Sequence, residues 1–134
     1  MNTGEMRIHH VAISVNNFEE SFKFYTEGLG MTLYTKWGND EKTIALLDIG
    51  NGEYIELFSD GTADEAYNSR FIHLAFSVDD VEASYKRAVE AGAKPHIAPM
   101  MANVNSKPVD IIINCAFVIA PGGEQIEFFR ATEV

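Results

Sequence analysis

The sequence contains one cysteine, few basic residues and no long apolar run, and each scarcity excludes a class of structure or partner. A single cysteine, Cys115, rules out an intrachain disulfide and fits a reducing compartment. Ten Lys and Arg against 20 Asp and Glu give a formal net charge of −10, which argues against nucleic acid and anionic membranes because both bind clustered basic residues. No apolar run approaches the roughly 20 residues of a membrane span. Residues 1–6 also lack the features of a signal peptide, so we expect a cytoplasmic protein.

The length and composition predict one ordinary globular domain. A chain of 134 residues suits a single domain, here residues 1–134. Its 46% hydrophobic and 22% charged content is typical of soluble proteins. Cys115 lies within the apolar run 111–119, and we expect it to be a small buried hydrophobic residue rather than a nucleophile.

One short stretch occurs twice in the chain. Residues 8–23 read I-H-H-V-A-I-S-V-N-N-F-E-E-S-F-K, and residues 71–86 read F-I-H-L-A-F-S-V-D-D-V-E-A-S-Y-K. The alignment places His10 on His73. A second repeat places Glu56 on Glu127. It reads G-E-Y-I-E-L-F at 52–58 and G-E-Q-I-E-F-F at 123–129. Such internal repetition indicates a doubled structural unit, and each unit brings one His and one Glu.

Alternating and helical patterns give both units the order β-α-β-β-β, within an α+β fold. Module one spans 7–59, a polar linker 60–70 follows, and module two spans 71–130. Asn17 is the expected N-cap of the first helix, and Asp79 or Asp80 of the second. The other predicted elements are strands at 7–15, 31–37, 43–49 and 54–59, then strands at 71–78, 95–98, 110–120 and 124–130, with a loop at 99–108.

The two His–Glu pairs make a candidate metal site. In a strand, residues two apart share a face, so His10 faces one side and His9 the other, and we expect His9 to stay outside any site formed by His10. Glu56 is expected on the concave face of its module, where an uncompensated carboxylate is costly. Two imidazoles and two carboxylates suit Ni, Co, Zn, Mn or Fe rather than Ca. A duplicated fold would also repeat these residues without any function, and the pattern alone leaves both interpretations open.

The chain resembles the vicinal oxygen chelate superfamily, which includes glyoxalases, bleomycin-resistance proteins and dioxygenases. The resemblance rests on the paired βαβββ modules, an H-x-A-x-x-V strand opening each, F-Y-x-x-x-L-G-M at 24–31, and P-G-G-x-x-I-E-F at 121–128. It implies two half-barrels enclosing one divalent metal. Matched by position, the implied ligands are His10, Glu56, His73 and Glu127.

The implied four-ligand set is most similar to that of glyoxalase I. The resemblance therefore implies a metal-dependent lyase or isomerase that stabilises an enediolate of a small oxo or hydroxy substrate. Glu127 is the expected catalytic acid–base residue, with Glu56 its near-equivalent by symmetry. Family members often build or share their sites across subunits, so we also expect a homodimer.

Two positions depart from the glyoxalase I pattern and make glutathione use doubtful. Ser14 occupies the position where glyoxalase I usually has an Arg that binds a glutathione carboxylate. Asp60 occupies the position where glyoxalase I often has an Asn. The basic candidates to replace them are Lys36, Lys94 and Lys107. The alternatives are another metal-dependent reaction of the family (epimerase, dioxygenase or thiol transferase) or a non-catalytic protein that binds small molecules or antibiotics. Such a binder would use an apolar set: Trp37, Tyr54, Phe58, Met100, Met101 and Phe129.

Overall fold

The computed structural model describes residues 6–61, 70–120 and 125–134, and the same order of elements occurs twice within them. Module one consists of β1 (Arg7–Ser14), α1 (Phe18–Lys23), a π-helical turn (Phe24–Gly28), β2 (Thr32–Gly38), β3 (Thr43–Gly50) and β4 (Glu53–Phe58). Module two consists of β5 (Arg70–Ser77), α2 (Val81–Glu90), β6 (Lys94–Asn103), β7 (Ile111–Ile119) and β8 (Gln125–Glu133).

All eight strands belong to one sheet, in the order β2-β3-β4-β1-β5-β8-β7-β6. The first strand of each module pairs in parallel with the last strand of the same module, and β1 and β5 join the modules by antiparallel pairing. The two outer edges of the sheet lie close together. Lys36 of β2 exchanges two backbone hydrogen bonds of 2.8 Å with Lys107, which follows β6 in the chain. The sheet is therefore curled, and the predicted fold of two βαβββ half-barrels is confirmed.

Each helix begins where its cap residue predicts. The Asn17 side chain accepts a hydrogen bond from the Glu20 amide at 3.1 Å, and Asp80 accepts one from the Ala83 amide at 2.9 Å. Both contacts satisfy amides that an α-helix leaves without partners in its first turn. Among the described residues, no helix has the length and apolar content needed to cross a membrane.

Among the residues that the structure describes, three apolar clusters stabilise the fold. One lies between α1 and the sheet, around Ile13, Leu47 and Leu57, and another lies between α2 and the sheet, around Val81 and Phe128. A third cluster lies on the concave face of the sheet and includes Leu46, Ala75, Ile111, Ile113, Cys115 and Phe129. Burial of apolar surface at about 25 cal/mol per Å² is the main favourable contribution to folding. Because the helices cover the convex face, the concave face remains for a site.

The 3.6-residue period predicts an apolar stripe of Phe18, Phe22, Tyr25 and Leu29 on the first helix, and this prediction was wrong at its last member. Phe18, Phe22 and Tyr25 pack on the sheet as predicted. Leu29, however, is 56% exposed. The chain passes through the π-helical turn before reaching Leu29, and a turn with more residues than an α-helical turn rotates the following side chain away from the stripe. On the second helix the same period predicts a stripe of Val81, Tyr85, Ala88 and Val89, and all four residues pack against the sheet.

The predicted loop at 99–108 was also wrong in its first half. Strand β6 continues to Asn103, and Met101 pairs with Asn114 of β7. Pro95 and Pro99 both lie within this strand. They are tolerated because β6 is an edge strand, where half of the backbone amides need no partner within the sheet. Strand β8 likewise runs past its predicted end to Glu133. The turn predicted at 121–123 and residues 62–69 of the predicted linker lie outside the described residues.

Candidate metal centre

The four candidate ligands lie on the four central strands of the sheet. His10 comes from β1 and His73 from β5, the two strands that join the modules. Glu56 pairs in register with Ala12, and Glu127 pairs with Ala75. Both alanines are fully buried. Since an alanine side chain is small, the longer His and Glu side chains have room to converge over it.

The ligand atoms of these four residues converge on one point within a single chain. His10 Nε2 lies 3.1 Å from Glu56 Oε1 and 3.0 Å from Glu127 Oε1. His73 Nε2 lies 3.2 Å and 2.9 Å from the same two oxygens. The two Nε2 atoms are 3.0 Å apart. All four residues are buried, and their ligand atoms lie within 4.8 Å of one another.

These separations match those between ligands around one metal ion. Nitrogen and oxygen ligands bind divalent first-row metals at about 2.1 Å, so neighbouring ligands of an octahedron lie about 3.0 Å apart. Within the described part of the chain, neither Glu56 Oε1 nor Glu127 Oε1 has a hydrogen-bond partner of good geometry. Because buried oxygens normally have partners, their lone pairs fit a cation at the common centre.

Electrostatics within the cluster also favour a cation. Burial opposes the charged form of His10, but Glu56 and Glu127 outweigh it and raise the pKa of His10 from 6.5 to about 9. The pKa of His73 is raised in the same way, against its own burial. Burial likewise opposes the charge of Glu56, yet the two imidazoles lower its pKa from 4.5 to about 2. Protons on the imidazoles thus offset the carboxylates in the metal-free protein, and a divalent ion would replace two such protons charge for charge.

Aromatic rings and one thiol surround the cluster. Phe129 packs edge-on against the His10 ring with centroids 5.0 Å apart, and Phe117 packs similarly on His73 at 5.2 Å. These rings restrict both imidazoles to the orientation that points Nε2 inward. Cys115 is buried on the same face, as predicted. Its burial and the nearby Glu127 raise the pKa of the thiol to about 12, so it remains protonated and is a poor nucleophile.

The prediction that His9 lies away from the site was wrong. Strand β1 has a register shift between Ile8 and His10, so His9 is an extra residue in the pairing with β5. Such a bulge breaks the strict alternation of side chains. His9 Nδ1 consequently lies 2.8 Å from His10 Nδ1, and the His9 ring packs against Tyr54 and Phe129. Burial and the neighbouring His10 lower the pKa of His9 to about 3, so its ring is neutral.

Comparison with known proteins decides the family. A family model described as the Glyoxalase/Bleomycin resistance protein/Dioxygenase superfamily matches residues 7–128. The chain belongs to this superfamily. The resemblance seen in the sequence motifs is therefore confirmed over nearly the whole chain.

Curated relatives of this superfamily member extend over similar lengths. A probable lactoylglutathione lyase of Vibrio cholerae is 32% identical over 130 residues, covering 92% of this chain and 90% of the relative. A lactoylglutathione lyase of Haemophilus influenzae is 31% identical over 131 residues, covering 93% of each. Among solved structures, the methylmalonyl-CoA epimerase of Mycobacterium tuberculosis superposes with a TM-score of 0.68 at 23% identity, covering 96% of this chain and 91% of the epimerase. At that identity the likeness shows the common fold alone.

Proposed function

We propose that this superfamily member is a divalent-metal-dependent lyase or isomerase that moves a proton between adjacent carbons of a small oxo or hydroxy substrate. The observation that carries the proposal is the buried convergence of two imidazole nitrogens and two carboxylate oxygens within 4.8 Å. Because burying two carboxylates is costly unless they are compensated, this arrangement is better explained by a metal than by folding alone.

His10, His73, Glu56 and Glu127 would hold the metal. Ni, Co, Zn, Mn and Fe all accept such a mixed nitrogen and oxygen set. When bound, the ion supplies a Lewis acid that polarises the oxygens of the substrate and stabilises the negative charge of an enediolate.

The protein residues then have separable roles. The imidazoles of His10 and His73 must each lose the proton on Nε2 to bind a metal, and the packing of Phe129 and Phe117 keeps Nε2 pointing inward. Glu127 would accept the proton from one substrate carbon and return it to the next, as general base and then general acid. Glu56 is its near-equivalent, since both Oε1 atoms lie 2.9 to 3.2 Å from the same two imidazoles.

We propose that the substrate is not a glutathione conjugate. The relatives from Vibrio cholerae and Haemophilus influenzae are named probable lactoylglutathione lyase and lactoylglutathione lyase, but Ser14 occupies the position where the glyoxalase I pattern has an arginine. Ser14 is 2% exposed, and its Oγ has no hydrogen-bond partner among the described residues. A hydroxyl cannot form the bidentate contact that a guanidinium makes with a carboxylate. Lys36 and Lys107 lie opposite each other in a backbone bridge, and both are exposed.

Hydrogen exchange at carbon tests the proposed reaction directly. The protein would be loaded separately with Ni²⁺, Co²⁺ and Zn²⁺ and incubated in D₂O with 2-oxo and 2-hydroxy thioesters, including a CoA thioester. We expect deuterium at the carbon beside the carbonyl, only with metal present, and its loss in Glu127→Gln. Oxygen uptake or thiol transfer in place of this exchange would contradict the proposal and support another reaction of the superfamily.

A further inference from the structure

The contact between two consecutive histidines has a chemical consequence for the candidate metal centre. The Nδ1 atoms of His9 and His10 are 2.8 Å apart, which is hydrogen-bonding distance. A neutral imidazole carries a proton on only one nitrogen. One of the two Nδ1 atoms must therefore donate and the other must accept.

The orientation of His10 decides which nitrogen donates. Its Nε2 faces His73 and both candidate carboxylates at 3.0 to 3.1 Å, so Nε2 is the nitrogen that would bind a metal through its lone pair. The remaining proton of neutral His10 must then be on Nδ1, and the Nδ1–H group points at His9. Metal-bound histidines generally donate their second N–H to such a partner, which fixes the tautomer and the ring orientation.

The His9 ring is held in place to accept that hydrogen bond. It stacks on Tyr54 with centroids 4.7 Å apart and an interplanar angle of 26°. Phe129 lies on it at 4.3 Å. Tyr54 comes from β4 and Phe129 from β8, so one aromatic residue of each module contacts His9. The bulge at His9 is what brings the ring to this side of β1.

The two modules differ at this position. Ile72 precedes His73 as His9 precedes His10, and Ile72 has no polar side-chain atom to accept a hydrogen bond. Within the described parts of the chain, the contact is therefore peculiar to module one. Ile72 instead lines a groove of about 560 Å³ together with Val11 and Leu74, which leaves room for a larger side chain in a control variant.

We propose that His9 is a positioning residue that accepts the Nδ1–H hydrogen bond of His10, so that His10 presents the lone pair of Nε2 to a divalent metal. The proposal rests on the metal site assigned under the proposed function and adds a residue outside the ligand set. Removal of such a partner typically weakens metal binding by about 10- to 100-fold.

Three single variants separate the hydrogen bond from the packing. His9→Phe keeps a ring between Tyr54 and Phe129 but removes the acceptor. His9→Asn places an amide oxygen near the position of Nδ1 and restores the acceptor without the ring. Ile72→Phe makes the matched aromatic change in front of the other histidine. The dissociation constant for Co²⁺ is measured for each by competition with a chelator, together with the visible spectrum of bound Co²⁺ and the thermal unfolding midpoint.

We expect His9→Phe to weaken Co²⁺ binding by about 10- to 100-fold, whereas His9→Asn and Ile72→Phe stay within about threefold of the unmodified protein. In the Zn²⁺-loaded protein, ¹⁵N NMR should show His10 protonated at Nδ1. A folded His9→Phe variant that binds Co²⁺ as tightly as the unmodified protein would overturn the proposal, as would metal coordination through Nδ1 of His10. If the unmodified protein itself bound no divalent ion, the proposed function would fail instead.

Discussion

Replacing Glu56 with glutamine is the sharpest perturbation of the candidate metal centre, because it preserves shape and removes one charge. The Glu56 Oε1 atom lies 3.1 Å from His10 Nε2 and 3.2 Å from His73 Nε2. An amide oxygen can occupy the same place, so the apolar packing around it need not change. Any loss of metal affinity in Glu56→Gln then reports the charge of this ligand.

The size of the loss follows from the charges involved. Two unit charges 4 Å apart interact by about 4 kcal/mol at an effective dielectric constant of 20. A divalent ion bound by Glu56 would be closer and doubly charged, while the cost of burying the carboxylate offsets part of the gain. We therefore expect a loss of at least about 3 kcal/mol, which is roughly 100-fold in Kd.

The assay is the Kd for Co²⁺, measured by chelator competition for the unmodified protein and for two glutamine variants. Glu53 lies on the same strand as Glu56 but is exposed, so Glu53→Gln is the matched control and should bind normally. A Glu56→Gln variant within threefold of the control would refute the assignment of Glu56 as a ligand.

Three further predictions concern pH, substrate and backbone. The raised pKa of His10, about 9 against 6.5, stabilises the folded metal-free protein below pH 6.5, and this contribution is lost as the pH rises through about 9. The lowered pKa of Glu56, about 2 against 4.5, stabilises it above pH 4.5 and is lost as the pH falls through about 2. The free energy of unfolding of the metal-free protein should thus be greatest between about pH 4.5 and pH 6.5, where both contributions are present. Urea titrations at several pH values would show this. The methylglyoxal–glutathione hemithioacetal should be a poor substrate in a kcat/KM assay with Ni²⁺, Co²⁺ or Zn²⁺, because Ser14 cannot bind its carboxylate. Gly38→Ala should destabilise the protein by at least about 1 kcal/mol in urea unfolding, since Gly38 has a φ of +109° and an added Cβ would lie 2.1 Å from the Lys42 carbonyl oxygen.

Each of these predictions has a clear contrary result. Stability of the metal-free protein that rises from pH 6.5 to 9 would contradict the charge pairing in the buried cluster. A kcat/KM of about 10⁴ M⁻¹s⁻¹ or more with the hemithioacetal lies in the ordinary enzyme range and would restore glutathione as the substrate partner. Gly30 also has a positive φ, of +85°, but open space around it. If Gly38→Ala cost no more than Gly30→Ala, the steric argument would fail.

Much of the fold was predictable because the sequence repeats its own pattern. Alternation along residues 7–15 and its echo at 71–78 define two equivalent strands, and the cap residues Asn17 and Asp80 mark the helices that follow. These signals are local, so they can be recognised without knowledge of the pairing. The same repetition predicted that Glu56 and Glu127 occupy equivalent positions. The four-ligand set itself was implied by the family resemblance, and the sequence did not decide whether the four residues meet within one chain.

The errors came from features that depend on pairing between strands. The bulge at His9 exists only relative to β5, and no alternating pattern within β1 reveals it. The continuation of β6 past Pro99 depends on its position at the edge of the sheet, which local sequence does not specify. The adjacent histidines were the one available signal for His9, and strict alternation was wrongly applied to them. The expected homodimer stays a prediction. All four candidate ligands come from one chain, so the ligand set gives no reason of its own to expect a partner subunit.

Metal content combined with X-ray absorption spectroscopy tests the central claim most directly. The purified protein would be stripped with a chelator, reloaded with Co²⁺, and examined for stoichiometry and for the atoms around the metal. We predict one Co²⁺ per chain, a first shell of nitrogen and oxygen at about 2.1 Å, and the outer-shell scattering of two imidazoles from His10 and His73. Binding well below one ion per chain, or a shell that contains sulfur or no imidazole, would contradict the assignment of this cluster as a metal centre.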